Sequence, residues 1–191
     1  MCGITGFIST QVSNPKEVMH SMIGTLLHRG PDNTSIWNDL NGVNMAHSRL
    51  SILDLSESGN QPILSKSGRY VMVFNGEIYN YQELKRKIDS LTNIQWSGSS
   101  DSEVLVELID HFGIKEALIK TKGMFAISVW DAKEKKLTLC RDRLGEKPLY
   151  YGWQNNSFVF SSELKALQKF PGFKKDIDRG ALALYLRYNS I

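Results

Sequence analysis

Short runs of alternating or uniformly apolar residues dominate the chain, and this pattern is typical of β-strands rather than of long helices. Several of the runs are rich in β-branched and aromatic residues, as strands usually are. Two pairs of runs are joined by short polar segments, which predicts two β-hairpins with turns at residues 131–135 and 155–156. The predicted strands cover residues 4–9, one or two strands within 43–55, 70–74, 93–96, 125–130, 136–140, 149–153 and 158–161.

Helical periodicity interrupts the strands at five places. The clearest case is residues 101–112, where Ser100 and Glu103 have the spacing of a capping box and Gly113 closes an apolar stripe. Residues 16–27 also place apolar side chains on one face, and Gly30-Pro31 marks the stop. The predicted helices cover residues 16–27, 81–88, 101–112, 163–170 and 179–188.

The order of these elements predicts an α+β fold. Strands joined by hairpins form antiparallel sheets, and the strands are too numerous for one sheet with a single buried face. Two antiparallel sheets with helices on their outer faces would bury the apolar surface of both. The 191 residues, 41% of them hydrophobic and 10% aromatic, contain no repeat and no linker. We therefore expect one domain over residues 1–191, and the abrupt end of the pattern suggests that it belongs to a longer chain.

Charge and cysteine content exclude several classes of partner. The 23 basic and 20 acidic residues give a formal charge of +3, and the basic residues are scattered, so no nucleic-acid partner is predicted. No apolar run approaches the ~18 residues of a membrane span, and no signal peptide precedes the first strand. These features favour a cytoplasmic protein without a membrane partner. Cys2 and Cys140 are expected as free thiols, and no Cys/His group has metal-ligand spacing.

Cys2 is the first candidate for chemistry. It could be a small buried residue at the start of a strand. Alternatively, removal of Met1 would give it both a thiol and a free α-amine. An α-amine has a pKa of about 7.7–8.0, so part of it is neutral at pH 7 and could act as the base for the thiol. Such a nucleophile needs no separate histidine, and His28 and His47 are interpreted as structural.

Asn75-Gly76 is the second candidate. An Asn-Gly pair after a strand is typical of a hairpin turn, but residues 77–84 have the pattern of a helix start rather than of a returning strand. Acyl transfer needs hydrogen-bond donors where negative charge develops on the substrate oxygen. The amide of Asn75 and the N–H of Gly76 could supply them.

Three further segments allow more than one interpretation. Arg49 could be a surface arginine or a bidentate clamp for a carboxylate. Residues 97–102 could cap a helix, offer Asp101 to a substrate ammonium group, or resemble a phosphate-binding loop, although Ser99 replaces the glycine expected there and hairpins follow. Residues 141–151 form a charged loop with a predicted structural role.

Six blocks of this sequence, in the same order, resemble one family. They are Met1-Cys2-Gly3-Ile4, His28-Arg29-Gly30-Pro31-Asp32, His47-Ser48-Arg49-Leu50-Ser51-Ile52, Asn75-Gly76-Glu77-Ile78-Tyr79-Asn80, Ser100-Asp101-Ser102-Glu103-Val104 and the segment from Arg141-Asp142-Arg143 through Tyr151. Over nearly the whole chain the sequence resembles the glutaminase domain of glutamine-hydrolysing asparagine synthetases, a class II glutamine amidotransferase. The resemblance implies the four-layer αββα sandwich of the Ntn hydrolases.

The resemblance also implies roles for the matching positions. Cys2 would be the nucleophile, with Asn75 and Gly76 as the oxyanion hole. Arg49 would bind the glutamine α-carboxylate. Glu77 and Asp101 would face its α-ammonium group, which favours that interpretation of residues 97–102. The residues implied to line the glutamine pocket are Leu50, Ser51, Ile52 and Leu53.

For the complete protein, the resemblance implies hydrolysis of L-glutamine and transfer of ammonia to a C-terminal synthetase domain of the same chain. That domain would use ATP and Mg²⁺ to convert aspartate to asparagine, whereas the glutaminase domain itself would need no cofactor or metal. A homodimer is possible in this family. Two alternatives stay open: another acyl acceptor, such as a carboxylated sugar, and a non-catalytic module. Catalysis through the α-amine requires that Met1 be removed.

Overall fold

A computed structural model describes residues 1–52 and 54–189 of the chain. Nine strands and six helices occur within those ranges. The strands are β1 (Gly3–Ile8), β2 (Asn33–Asn38), β3 (Val43–Arg49), β4 (Ile63–Leu64), β5 (Tyr70–Ile78), β6 (Gly123–Asp131), β7 (Lys136–Arg141), β8 (Tyr150–Gln154) and β9 (Ser157–Ser161). The helices are α1 (Pro15–Gly24), α2 (Tyr81–Asp89), α3 (Asp101–Phe112), α4 (Ile114–Lys120), α5 (Leu164–Leu167) and α6 (Arg179–Tyr188).

The strands form two antiparallel sheets. One sheet has the order β2-β3-β1-β9-β8 and the other has the order β4-β5-β6-β7. Strands β1 and β3 pair with Gly3 opposite Ser48, and β5 and β6 pair with Gly76 opposite Phe125. The predicted hairpins β6–β7 and β8–β9 are both present.

Three apolar cores show that the sheets and helices are stacked in four layers. Helices α1 and α5 cover the outer face of the first sheet, where Met22 and Phe7 belong to one buried apolar cluster. Helices α2, α3 and α4 cover the outer face of the second sheet, where Leu105 and Phe74 belong to another. The third core lies between the sheets and contains Ile4, Val43, Met45, Val71, Val73, Ala126, Trp130 and Phe160. The expected αββα arrangement is therefore confirmed.

Helix α3 has the predicted bounds because its ends are specified locally. The Ser100 hydroxyl accepts a hydrogen bond from the Glu103 N–H at 3.2 Å, as an N-cap does, and Gly113 ends the helix with a φ of 79°. The Glu103 side chain does not complete the capping box. It turns instead to the main chain of residues 97 and 98.

Several predicted bounds were wrong where tertiary contacts override local pattern. Strand β5, predicted over residues 70–74, continues through Asn75-Gly76 to Ile78 because the full-length pairing with β6 extends it, whereas α2 begins at Tyr81 as predicted. Of the one or two strands expected within 43–55, the described residues contain one, which ends at Arg49. Helix α1 ends at Gly24 and α5 is one short turn, so both helices are shorter than predicted. Residues 93–96 are not a strand, whereas β2 and α4 were not predicted.

Strand alternation directs chosen side chains into one end of the sandwich. Ile4, Met45 and Val73 all point into the space between the sheets. Side chains two positions along a strand share a face, so Cys2, His47 and Asn75 are directed into that space too. There the two sheets form the mouth of a cavity.

Candidate active site

Cys2 lies immediately before β1 and lines the cavity. Its Sγ accepts from the Leu50 N–H at 3.4 Å and lies 3.7 Å from the Leu50 carbonyl oxygen, so the sulfur contacts the main chain that follows β3. The Arg29 Nε donates to the Cys2 carbonyl at 2.9 Å and fixes the backbone. Burial raises the pKa of the Cys2 thiol, while the Leu50 hydrogen bond, the chain N-terminus and Arg49 act in the opposite direction. The resting sulfur is thus a thiol that needs a base.

The edge of β5 beside the cavity presents hydrogen-bond donors. Strand β4 pairs only with Val71 and Met72, so the rest of this edge has no strand partner among the described residues. The N–H groups of Phe74 and Ile78 point to this edge, where they donate to Gln61 Oε1 and Asp101 Oδ2. Because N–H groups alternate in direction along an antiparallel strand, the Gly76 N–H between them faces the same way.

The register with β6 supports this direction for the Gly76 N–H. Phe125, which pairs with Gly76, uses both of its main-chain groups on the other side: its carbonyl accepts from the Asp142 N–H and its N–H donates to Asp142 Oδ2. A Cβ at position 76 would collide with the Met124 carbonyl oxygen, so the close approach of the two strands requires glycine. The Gly76 N–H is consequently directed at the cavity.

The Asn75 side chain adds a second donor. Asn75 is 2% exposed, and its Nδ2 has no hydrogen-bond partner within the described residues. A buried amide normally finds a partner, and leaving a buried donor unpaired costs about 1–3 kcal/mol. Next to the Gly76 N–H, this amide forms a pair of donors suited to an oxygen that becomes negatively charged.

Arg49 carries a buried positive charge into the cavity. It is 7% exposed, and its guanidinium donates to the carbonyl oxygens of Ser56, at 2.7 Å, and of Asp54, and to Asn60 Oδ1 at 2.8 Å. All of these acceptors are neutral, and no carboxylate within the described ranges forms an ion pair with Arg49. The guanidinium is fixed by neutral acceptors, and its positive charge has no carboxylate partner in the described ranges. It is therefore suited to bind an anion.

Asp101 places an acidic group in the same cavity. It is 7% exposed at the start of α3, and Oδ2 accepts from the Ile78 N–H at 2.9 Å. Burial raises the pKa of Asp101 to about 6, and the nearby Glu77 carboxylate acts in the same direction. Two carboxylates that disfavour each other's charge would both gain from a bound cation.

These groups surround one cavity of about 190 Å³. Its lining contains eight of the ten predicted site residues: Cys2, Arg49, Leu50, Ile52, Asn75, Gly76, Glu77 and Asp101. Ser51 is not in the lining, and its N–H donates instead to Asp32 Oδ2 at 2.8 Å. Leu53 falls outside the described residues.

The N–H groups of residues 97–99, which a phosphate would need, already donate to carboxylates of the chain. Glu103 accepts from the N–H groups of Ser97 and Gly98 at 2.7 and 2.9 Å, and Asp54 accepts from the Ser99 N–H at 2.9 Å. The chain's own carboxylates therefore occupy the positions that phosphate oxygens would need. The segment caps α3 and carries Asp101 to the cavity.

Other lining residues were not predicted from the sequence. Gly59 lets the Arg49 guanidinium pass, because a Cβ there would collide with Nη2. Lys147 is buried, with Nζ 3.5 Å from the Met1 sulfur. His47, interpreted from sequence as structural, lies in the cavity wall. In sequence, Gly59 lies in a polar segment and Lys147 in a charged loop. Neither local pattern indicates that these residues line the cavity.

The four-layer arrangement of two antiparallel sheets between helices is the fold of the Ntn hydrolases, and Cys2 lies at the start of β1 in the cavity lining. A family model described as the glutamine amidotransferase domain matches residues 1–191, and the chain belongs to that family. Over 187 residues the chain is 36% identical to asparagine synthetase [glutamine-hydrolyzing] 3 of Bacillus subtilis, covering 96% of this chain and 30% of that protein. Asparagine synthetase [glutamine-hydrolyzing] 2 of the same organism is 40% identical over 177 residues, which are 90% of this chain and 23% of that protein.

Among solved structures, the chain is similar to the glutamine phosphoribosylpyrophosphate amidotransferase of B. subtilis, complexed with ADP and GMP. The TM-score is 0.73 at 21% identity, over 87% of this chain and 43% of that one. This likeness confirms the fold. The chain thus spans less than half the length of each of these proteins. Within the described residues, no helix combines the length and the apolar character needed to cross a membrane.

Proposed function

We propose that this domain hydrolyses the side-chain amide of L-glutamine with Cys2 as the nucleophile. The observation that carries the proposal is Asn75 Nδ2, which is buried in the lining of the same cavity as Cys2 and has no hydrogen-bond partner in the described part of the chain. A buried donor without a partner suits a site whose acceptor arrives with the substrate.

The charges of the cavity match the amino-acid end of glutamine. Arg49 offers a guanidinium without a carboxylate partner to the α-carboxylate, and Asp101 and Glu77 offer carboxylates to the α-ammonium group. A ligand lacking either charge would leave a buried group unpaired, so such ligands are strongly disfavoured. This arrangement supports glutamine rather than a simple amide as the substrate.

The reaction requires that Met1 be removed, so that the α-amine of Cys2 is free. The neutral amine takes the thiol proton as sulfur attacks the side-chain carbonyl carbon, and Asn75 Nδ2 and the Gly76 N–H hold the resulting oxyanion. The α-ammonium group of Cys2, formed in the first step, then gives its proton to the departing nitrogen. The C–N bond breaks and ammonia leaves. Water cleaves the γ-glutamyl thioester, releasing glutamate and restoring the thiol.

For the complete protein, we propose that the ammonia passes to a synthetase domain that uses ATP and Mg²⁺ to amidate aspartate. The names of both B. subtilis relatives support this assignment, and those relatives are much longer than this chain. The proposed partners are therefore L-glutamine and that second domain.

The test is ammonia release from L-glutamine by the protein and by its Cys2→Ala variant. Cys140→Ala is a matched control, because both cysteines are free but Cys140 lies on β7, outside the cavity lining. We expect Cys2→Ala to abolish release and Cys140→Ala to retain it. Intact mass should show loss of one methionine in the active protein. Equal activity of Cys2→Ala and the parent, or activity of a protein that retains Met1, would contradict the mechanism.

A further inference from the structure

One buried polar atom of the cavity wall is not used by the mechanism above. His47 Nε2 has no hydrogen-bond partner within the described residues, and His47 is 1% exposed. Native proteins rarely leave such an atom unpaired, and the exceptions are often functional. Among the described residues, the cavity lining therefore has two buried side-chain atoms without a hydrogen-bond partner, Nδ2 of Asn75 and Nε2 of His47.

The position of His47 directs its ring to the reacting end of the cavity. On β3 it pairs with Ile4 of β1 and with Ser35 of β2. It shares its strand face with Val43 and Met45, which pack between the sheets. The ring consequently enters the same space as Cys2 and Asn75.

The surroundings of His47 define which ring nitrogen carries the proton. Burial lowers the pKa of His47 to about 3, and the charge of Arg49 acts in the same direction, so the ring is neutral at pH 7. A hydrogen bond to the Phe74 backbone opposes this shift. The Phe74 N–H already donates to Gln61 Oε1 at 2.6 Å, so the ring must donate to the Phe74 carbonyl. Because Nε2 has no partner within the described residues, we assign the proton to Nδ1, which leaves a lone pair on Nε2.

On the basis of the proposed glutaminase function, we propose that His47 Nε2 accepts a hydrogen bond from the side-chain NH₂ group of glutamine. His47 is then a specificity-determining residue that favours a carboxamide over a carboxylate. The oxygen of the carboxamide faces the donors Asn75 and Gly76, while its nitrogen faces the acceptor His47.

This pairing discriminates substrate from product. The γ-carboxylate of glutamate carries no proton at pH 7, so it would place an anionic oxygen against the Nε2 lone pair. An unpaired buried acceptor weakens binding by about tenfold to hundredfold. Glutamate formed in the reaction would consequently leave the cavity more readily than glutamine.

The test measures binding without turnover, in the Cys2→Ala background, by titrating L-glutamine and L-glutamate at pH 7. The quantity of interest is the dissociation constant of glutamate divided by that of glutamine. We expect His47→Phe, which keeps the ring shape without nitrogen, to lower this ratio about tenfold or more. His47→Gln, which can place an acceptor oxygen near the position of Nε2, should keep a higher ratio than His47→Phe. His111→Phe, at the exposed end of α3, is the control with no change.

A second measurement needs no substitution at His47. In protein labelled with ¹⁵N-histidine, the unprotonated Nε2 resonance of His47 should move when glutamine binds to the Cys2→Ala protein. Glutamate should leave that resonance close to its unliganded position. This readout keeps the proposal testable if His47→Phe does not fold.

The outcomes separate this inference from the proposed function. Absence of glutamine binding to the Cys2→Ala protein would contradict the proposed function itself. Normal glutamine binding with an unchanged ratio in His47→Phe, or with a stationary Nε2 resonance, would overturn only the role of His47.

Discussion

The two ends of the β5–β6 ladder differ in how many of their polar groups have hydrogen-bond partners. At the end where Tyr70 pairs with Asp131, the Asp131 carboxylate accepts two hydrogen bonds from Arg69 and one each from the N–H groups of Lys133 and Glu134. At the other end, Asn75 and Gly76 line the cavity, and Asn75 Nδ2 has no acceptor within the described residues. The hydrogen bonding of the Asp131 carboxylate is thus saturated, whereas a buried donor at the other end has no partner among the described residues.

The acidic residues at the two ends differ in the same way. The Arg69 hydrogen bonds lower the pKa of Asp131 to about 2, whereas burial raises the pKa of Asp101 to about 6. Arg69 likewise has a carboxylate partner, and Arg49 has only neutral acceptors in the described part of the chain. The same residue types thus pair with opposite charges at one end, while at the other they have no ion-pair partner within the described residues.

The largest effect that would sharpen this contrast is expected from Asn75→Ala. Removing one of two oxyanion donors should lower kcat by about 10²–10³, or about 3–4 kcal/mol, with a smaller change in KM. Because Nδ2 makes no hydrogen bond to any described residue, the urea midpoint should change little. Steady-state ammonia release and urea unfolding measure the two quantities. A large loss of stability with kcat unchanged would show that Asn75 is structural.

Asp101→Asn should have an intermediate effect on glutamine binding and should stabilise the unliganded protein. Loss of the carboxylate should raise KM for glutamine about tenfold to hundredfold, because a charge-assisted hydrogen bond to the ammonium group is lost. The folded pKa of about 6 lies above the reference value of 3.8. The stabilisation contributed by this group is therefore complete below pH 4 and is lost as the pH rises through 6.

At pH 7 the asparagine variant should consequently exceed the parent in unfolding free energy by on the order of 1–3 kcal/mol. Urea unfolding of both proteins between pH 4 and pH 8 measures this difference. An asparagine variant less stable than the parent at pH 7 would mean that Asp101 supports the fold, as Asp131 does.

The smallest effect on catalysis is expected from Asp131→Asn at the saturated end of the ladder. Its folded pKa of about 2 lies below the reference value of 3.8, so its stabilisation is present above pH 4 and is lost as the pH falls towards 2. The variant should have a lower urea midpoint than the parent at pH 7, with kcat and KM unchanged. If Asp131→Asn altered kcat or KM without changing stability, the two ends of the ladder would not differ in function.

Sequence alone determined the features that depend on neighbours along the chain. Helix α3 was predicted at its true bounds because Ser100 and Gly113 specify its ends locally. The hairpins β6–β7 and β8–β9 were predicted because turn and alternation lie within one short window. Cys2, Arg49, Asn75 and Asp101 were each proposed as site residues from their functional groups and from the family resemblance, and the structure places all four in the lining of one cavity.

Tertiary structure decided what those groups contact. Asn75-Gly76 has the local pattern of a turn, and only pairing with β6 keeps it extended and directs the Gly76 N–H to the open edge. His47 was interpreted as structural because nothing along the chain shows that its Nε2 lacks a partner. Whether a buried polar atom is satisfied depends on residues far apart in sequence, here β1, β3 and β5. A local sequence pattern therefore does not show whether a buried polar atom has a hydrogen-bond partner. That property distinguishes the candidate site from the rest of the fold.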